Sequence, residues 1–177
     1  LASKDWKSRK ASYELLSSIL QDMGGASEGS SKGPSNDIDA NSIMPSLDEA
    51  ISAMVKDSNA AALDAALKFA TLYADHCRGA TSSSRASSII TSLYKGSGLS
   101  ASRPTTTKLS QALPLKLMEV GEGGPSSVHS VVEVLLQQGL ASRKPKVVLN
   151  SVNLVLDAAK SFGAGALPVA SVASSAP

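Results

Sequence analysis

With a single cysteine, Cys77, the 177-residue chain cannot form an internal disulfide. Its two histidines, His76 and His129, lie far apart, and the four-ligand sets and spacings of structural zinc are missing, so neither a metal nor a cofactor is expected. No G-x-S-x-G elbow, Walker glycine loop or paired-carboxylate arrangement is found, which argues against an enzyme. No apolar run approaches the length needed to cross a bilayer, and nothing at the N-terminus reads as a secretory signal, so an intracellular chain with no membrane partner is expected. Aromatic residues make up only 3%, against 42% hydrophobic and 18% charged, which fits one domain built from Ala, Leu, Val and Ser. A net charge of +2 is too small to argue nucleic-acid binding, so any electrostatic case rests on local charge. The start at Leu1 and the small-residue tail from Ala170 to Pro177 suggest a piece of a longer protein.

What remains is helical periodicity. Residues 4–23 read as a helix with Trp6 at its entrance and an apolar stripe of Ala11, Leu15, Leu16, Ile19 and Met23, with Tyr13 off to its side. Gly24 and Gly25 end it, and residues 24–42 read as a flexible polar loop. The Ser46-x-x-Glu49 pattern predicts a capping box opening a short helix that buries Leu47, Ile51, Met54 and Val55. That helix breaks at Lys56 to Asn59, where Asp57, Ser58 and Asn59 are cap chemistry, and the next buries Leu63, Leu67, Ala70, Ala74 and Cys77. Residues 86–94 carry Ile89, Ile90 and Leu93; after Arg103 and Pro104 a helix follows with Pro114 in its middle, where a kink or split is expected. Val128, Val131, Val132, Leu135 and Leu136 mark a helix ended by Gly139. The last runs from Pro145 to Phe162, stopped by Gly163, with Val148, Val152, Val155, Ala159 and Phe162 as its buried face.

Trp6, Asp57, Arg103 and Lys144 each open the second helix of a pair, at gaps of 51, 46 and 41 residues. Helix pairs at that period, with no competing strand alternation, predict an all-α HEAT-type solenoid whose within-pair turns line one edge. Residues 4–10, 56–59, 103–108 and 143–146 hold ten of the seventeen Lys and Arg residues but only Asp5 and Asp57 of the fifteen acids. A nearly neutral chain would then present a basic edge with Trp6 at one end, suited to an acidic partner. Arg143, Lys144 and Lys146 crowd the positive end of a helix dipole, where cations gain nothing locally and call for an external anion.

At these same turns the sequence resembles the TOG domain, the tubulin-binding HEAT module of the microtubule polymerase family. Asp5 to Arg9 with Tyr13 and Glu14 resembles the W-K-x-R…Y-E opening of that domain. Lys56 to Asn59 resembles its second turn, and Arg143 to Val148 its K-N-P-K-[IV]-[IV] fourth turn, in an order similar to the first TOG domain of such proteins. The resemblance covers most of residues 4–167 and implies one partial TOG domain, about four helical pairs over residues 1–177. It implies binding of the curved αβ-tubulin heterodimer through the turn edge, with Trp6 as apolar anchor on β-tubulin beside Lys7, Asp57, Ser58 and Asn59. Arg103, Lys144 and Lys146 would reach acidic surface toward α-tubulin. It further implies a multi-TOG parent acting on assembly at cytoplasmic microtubule plus ends and the spindle and kinetochore, alongside sibling TOG domains, without covalent chemistry. The third turn, Arg103 to Lys108, is poorer in lysine than the family pattern, and Pro114 and the long loop at residues 24–42 depart from it. A whole TOG domain has six pairs, so the terminal faces of this chain are expected to expose apolar surface unless they are covered.

Two other readings compete. A HEAT scaffold holding an acidic protein segment would use its concave helical face, so helix-surface substitutions rather than turn substitutions would abolish binding. Nucleic acid along the basic edge would show a steep salt dependence.

Overall fold

The computed structural model describes residues 3–25, 40–76, 78, 81–121 and 124–168. Among these the chain forms seven α-helices: α1 (Trp6–Gly25), α2 (Ala40–Met54), α3 (Ala60–His76), α4 (Ser83–Lys95), α5 (Pro104–Val120), α6 (Pro125–Leu140) and α7 (Pro145–Phe162). Most of the expected polar loop, Cys77 and the C-terminal tail lie outside the described residues. The loop's edges do not hold, because α1 runs through Gly25 and α2 starts at Ala40. Ser46 to Glu49 therefore lies inside α2 and does not open it.

The helices pack as two layers. In one, α1, α3, α5 and α7 stack side by side; in the other, α2, α4 and α6 do the same; and the pairs α2/α3, α4/α5 and α6/α7 join the layers. Side-chain contacts show that α3 and α5 run parallel. Thr106 and Arg103 at the start of α5 reach Asp64 near the start of α3, while Lys116 near the end of α5 reaches Asp75 near the end of α3. This is a HEAT-repeat solenoid: three pairs plus α1 among the described residues.

The short connections follow from cap chemistry. Asn59 caps α3, its Oδ1 accepting from the Ala61 and Ala62 amides at 3.0 and 3.2 Å. Pro104 and Pro145 begin α5 and α7, and Gly163, at φ 83°, ends α7 in a conformation that favours glycine. Pro114 does not split its helix. It is buried within a continuous α5, where packing from both layers holds the backbone despite the missing N–H.

Between the layers Ile51, Leu63, Leu67, Phe69, Ile89, Ile90, Leu93, Leu113, Leu117 and Leu135 are fully enclosed. Close approach of the layers relies on glycine facing serine. A Cβ at Gly98 would lie 2.3 Å from Ser110 Oγ, and one at Gly139 would lie 2.2 Å from Ser151 Oγ. Gly98 and Gly139 are 41 residues apart, as are Ser110 and Ser151, so the same contact recurs in consecutive pairs.

Two expected stripes are rotated. On α1, Tyr13 is buried and Leu16 and Leu20 pack on the core, while Leu15 and Ile19 are exposed. Among the described residues α1 packs chiefly on α3, and its buried side is the one turned to that helix. On α7 the buried seam is Val147, Asn150, Ser151, Leu154 and Ala158. Val148, Val155, Ala159 and Phe162 are half-buried and Val152 is exposed with Leu149 and Leu156. Hydropathy passed over this seam because two of its members are polar; both are satisfied by hydrogen bonds.

Candidate functional site: the rim of helix starts

Since α1, α3, α5 and α7 are parallel neighbours, their N-terminal ends lie along one edge, and contacts tie each turn to the next. Arg9 near the start of α1 grips Asp57 in the α2–α3 turn. Gly96, in the α4–α5 turn, packs so closely on the Val55 carbonyl that a Cβ there would come within 2.7 Å of it. Lys146 Nζ at the start of α7 donates to the Ala101 carbonyl of that same turn, and Asn150 Nδ2 donates to the Leu99 carbonyl at 2.6 Å. The turns carrying Trp6, Asp57, Arg103 and Lys144 thus form one rim.

Trp6 is the first residue of α1 and is 37% exposed, with Lys7 Nζ 6.0 Å from its ring centroid. Asp5 caps this helix through the Lys7 and Ser8 amides and the Ser8 hydroxyl, and these bonds hold its carboxyl below the usual range. Ser58, Arg103, Lys144 and Lys146 are exposed along the same rim, and Asn59 is half-buried by its capping role.

Asp57 differs from the expectation of a direct contact. Its carboxylate is turned inward, where the Arg9 guanidinium holds it in a two-pronged pair at 2.7 and 2.9 Å. The buried Tyr13 hydroxyl donates to it at 3.2 Å and the Asn59 amide at 2.9 Å. The Arg9 bonds pull its pKa down against burial, and burial pushes the Tyr13 hydroxyl up. Asp64 does similar work at the α3–α5 joint, accepting from Thr106 at 2.6 Å and pairing with Arg103 at 3.3 Å.

Sequence reasoning left out Arg9 and Tyr13 as a pair, Asp64 and Asn150. The spacing of Arg9 and Tyr13, one helical turn apart beside Trp6, is the signal that could have joined them.

Charge on the rim is asymmetric in a useful way. Lys95 ends α4, where a cation is favoured locally, whereas Arg143 lies between α6 and α7, directly before the Lys144 N-cap. Lys7, Lys144 and Lys146 stand at helix starts, and none of α1, α3, α5 and α7 has an acidic residue in its first turn. The helix dipoles gain nothing from these three cations.

An α-solenoid of helix pairs with an aromatic-tipped basic rim defines a HEAT-repeat interaction module. The chain belongs to the XMAP215/Dis1/CLASP TOG-domain family, whose profile it matches over residues 1–176. TOG domains are non-enzymatic tubulin-binding modules of microtubule-associated cytoskeletal proteins. No individual curated protein matches the chain.

Proposed function

We propose that this chain binds the curved αβ-tubulin heterodimer through the rim, as the first of several TOG modules in a parent protein that promotes polymerisation at microtubule plus ends, including those of the spindle and kinetochore. Trp6 is the apolar anchor on β-tubulin, with Lys7 and Ser58 beside it and Asp57 and Asn59 shaping the turn. Arg103, Lys144 and Lys146 meet acidic surface toward α-tubulin. Residues 1–177 act as one partial domain.

The observation that supports this most is the alignment of Trp6 with Lys7, Lys144 and Lys146, helix-start cations that gain nothing from the dipoles beneath them. An exposed tryptophan at one end of such a rim is the residue type that most often dominates an interface. The cations would speed encounter with an acidic partner.

Size-exclusion chromatography and equilibrium binding with purified tubulin test it. Trp6→Ala is expected to weaken binding by about 2 kcal/mol or more, a roughly 30-fold rise in Kd. Unchanged affinity in Trp6→Ala, together with unchanged association in Lys144→Ala/Lys146→Ala, overturns the proposal.

A further inference from the structure

We propose that Arg9 and Asp57 act as a positioning pair for Trp6, fixing the first turn of α1 on the rim without themselves touching the partner. This rests on the tubulin-binding rim and adds to it the device that orients the anchor.

The geometry runs through a single guanidinium. One face of Arg9 grips both oxygens of Asp57; its Nη1 donates backward to the carbonyls of Ser3 and Lys4 at 2.9 and 3.1 Å. Trp6 lies between those two carbonyls and Arg9 in sequence, so the segment on either side of it is tied to the α2–α3 turn. Without that tie the first turn of α1 is a helix end free to fray, because its leading N–H groups have no intrahelical partner and rely on the Asp5 cap alone. An exposed indole on a fraying turn must be ordered when it binds, and that ordering lowers affinity without any contact being lost.

Asp57 is suited to the role because its acceptor sites are occupied from inside: its side chain is 2% exposed and receives Arg9 twice, Tyr13 and the Asn59 amide. A carboxylate so enclosed has nothing left to offer a partner. Arg9 at 17% exposure likewise commits its Nε, Nη1 and Nη2 to the chain itself.

Trp6 is the only tryptophan in the sequence, so its fluorescence in the free chain reads out its own order. Asp57→Asn and Arg9→Lys, which preserve shape or charge but not the two-pronged pair, are expected to lower Trp6 anisotropy and raise its quenching by iodide. Both should raise the Kd for tubulin roughly 10-fold in the wild-type background and less than about 2-fold in a Trp6→Ala background, since coupled residues are not additive. Leu135→Ala, destabilising but remote, should leave Trp6 fluorescence unchanged.

Unchanged Trp6 fluorescence in both variants overturns the proposal, as does a full additional loss of affinity on top of Trp6→Ala. Retention of wild-type affinity by Arg9→Lys also overturns it, because a simple charge contact would survive that change. If Trp6→Ala and Lys144→Ala/Lys146→Ala both leave tubulin binding unchanged, the rim reading fails, and the fluorescence of the free chain still decides whether the pair orders Trp6.

Discussion

At the edge where α3 and α5 end, Arg78 and Lys116 are closed into a ring with Asp75 and Glu119, by contacts of 2.8 to 3.4 Å. Along the rim where the same helices begin, Lys4, Lys7, Lys56, Lys108, Arg143, Lys144 and Lys146 make no ion pair among the described residues. Both edges are exposed and built from the same helices, so burial does not explain the contrast. Acids accompany the cations at one edge and are withheld from most of them at the other. Where the rim does use acids, Asp57 and Asp64 work inside the joints between helices, Asp5 caps α1, and Glu14 pairs with Lys10. The rim thus commits its anions to rigidity and leaves most of its cations without an acidic partner among the described residues, the division expected of a surface that must hold its shape before an acidic partner arrives.

The strongest way to break the rim as a rigid edge is through its backbone packing. Gly98→Ala places a methyl 2.3 Å from Ser110 Oγ but 3.3 Å from Ser110 Cβ. Overpacking of this kind costs about 1–3 kcal/mol. Ser110 Oγ is buried without a hydrogen-bond partner among the described residues, so Ser110→Ala is expected to be nearly neutral alone and to restore most of the lost stability in the double variant. Urea denaturation of the four chains checks this; a double variant no more stable than Gly98→Ala would show that the strain lies elsewhere.

Asn150→Ala attacks the joint between α5 and α7, leaving the Leu99 carbonyl and the Gln111 amide without their partner. The expected loss is about 1–3 kcal/mol. Lys116→Ala opens the ring at the far edge and should change the same midpoint by less than about 1 kcal/mol, as exposed pairs do. Comparable losses from the two would erase the distinction between a joint and a surface web.

How much of this was legible in the sequence differs between the elements. The helix order, the pairing period and the rim followed from apolar spacing and turn residues, because those signals are local. The buried faces of α1 and α7 did not. A period of 3.6 shows that a helix has an apolar side, not which of two adjacent sides a neighbour covers. On α7 the covered side holds Asn150 and Ser151, which look like surface residues until Leu99, Gln111 and Tyr94 are brought to them. Asp57 was legible as a turn residue beside a helix cap, but its inward orientation depends on Arg9 and Tyr13, which lie more than forty residues away. The continuity of α5 through Pro114 was likewise invisible, since local chemistry argues for a break and only packing overrides it.

For association with tubulin, Lys144→Ala/Lys146→Ala should slow the on-rate about 10-fold at low salt and much less near 1 M salt, where the Debye length falls to about 3 Å. Neutralising Lys116 at the far edge should leave the on-rate unchanged. Stopped-flow binding across a salt series separates them, and equal effects from the two edges would show that net charge, not the rim, steers the encounter.

The smallest expected effect concerns acid. Asp57 at the rim and Asp75 and Glu119 at the far edge all have carboxyls held below their ordinary values of 3.8, 3.8 and 4.5, by Arg9, by Arg78 and by Lys116 respectively. A carboxylate whose folded pKa is depressed adds stability that is fully present above its unfolded pKa and is lost as pH falls through the folded one. Stability should therefore decline as pH drops below about 4.5, with both edges contributing. Asp48 opposes this slightly, since burial raises its pKa and favours its protonated form. Salt distinguishes the edges: the exposed ring is screened, whereas the enclosed Asp57 pair is shielded from solvent ions. In 1 M sodium chloride the acid-dependent slope should shrink but persist, and Asp57→Asn should remove most of what persists. A slope abolished by salt in the unmodified chain would mean that Asp57 is no better protected than the ring at the far edge.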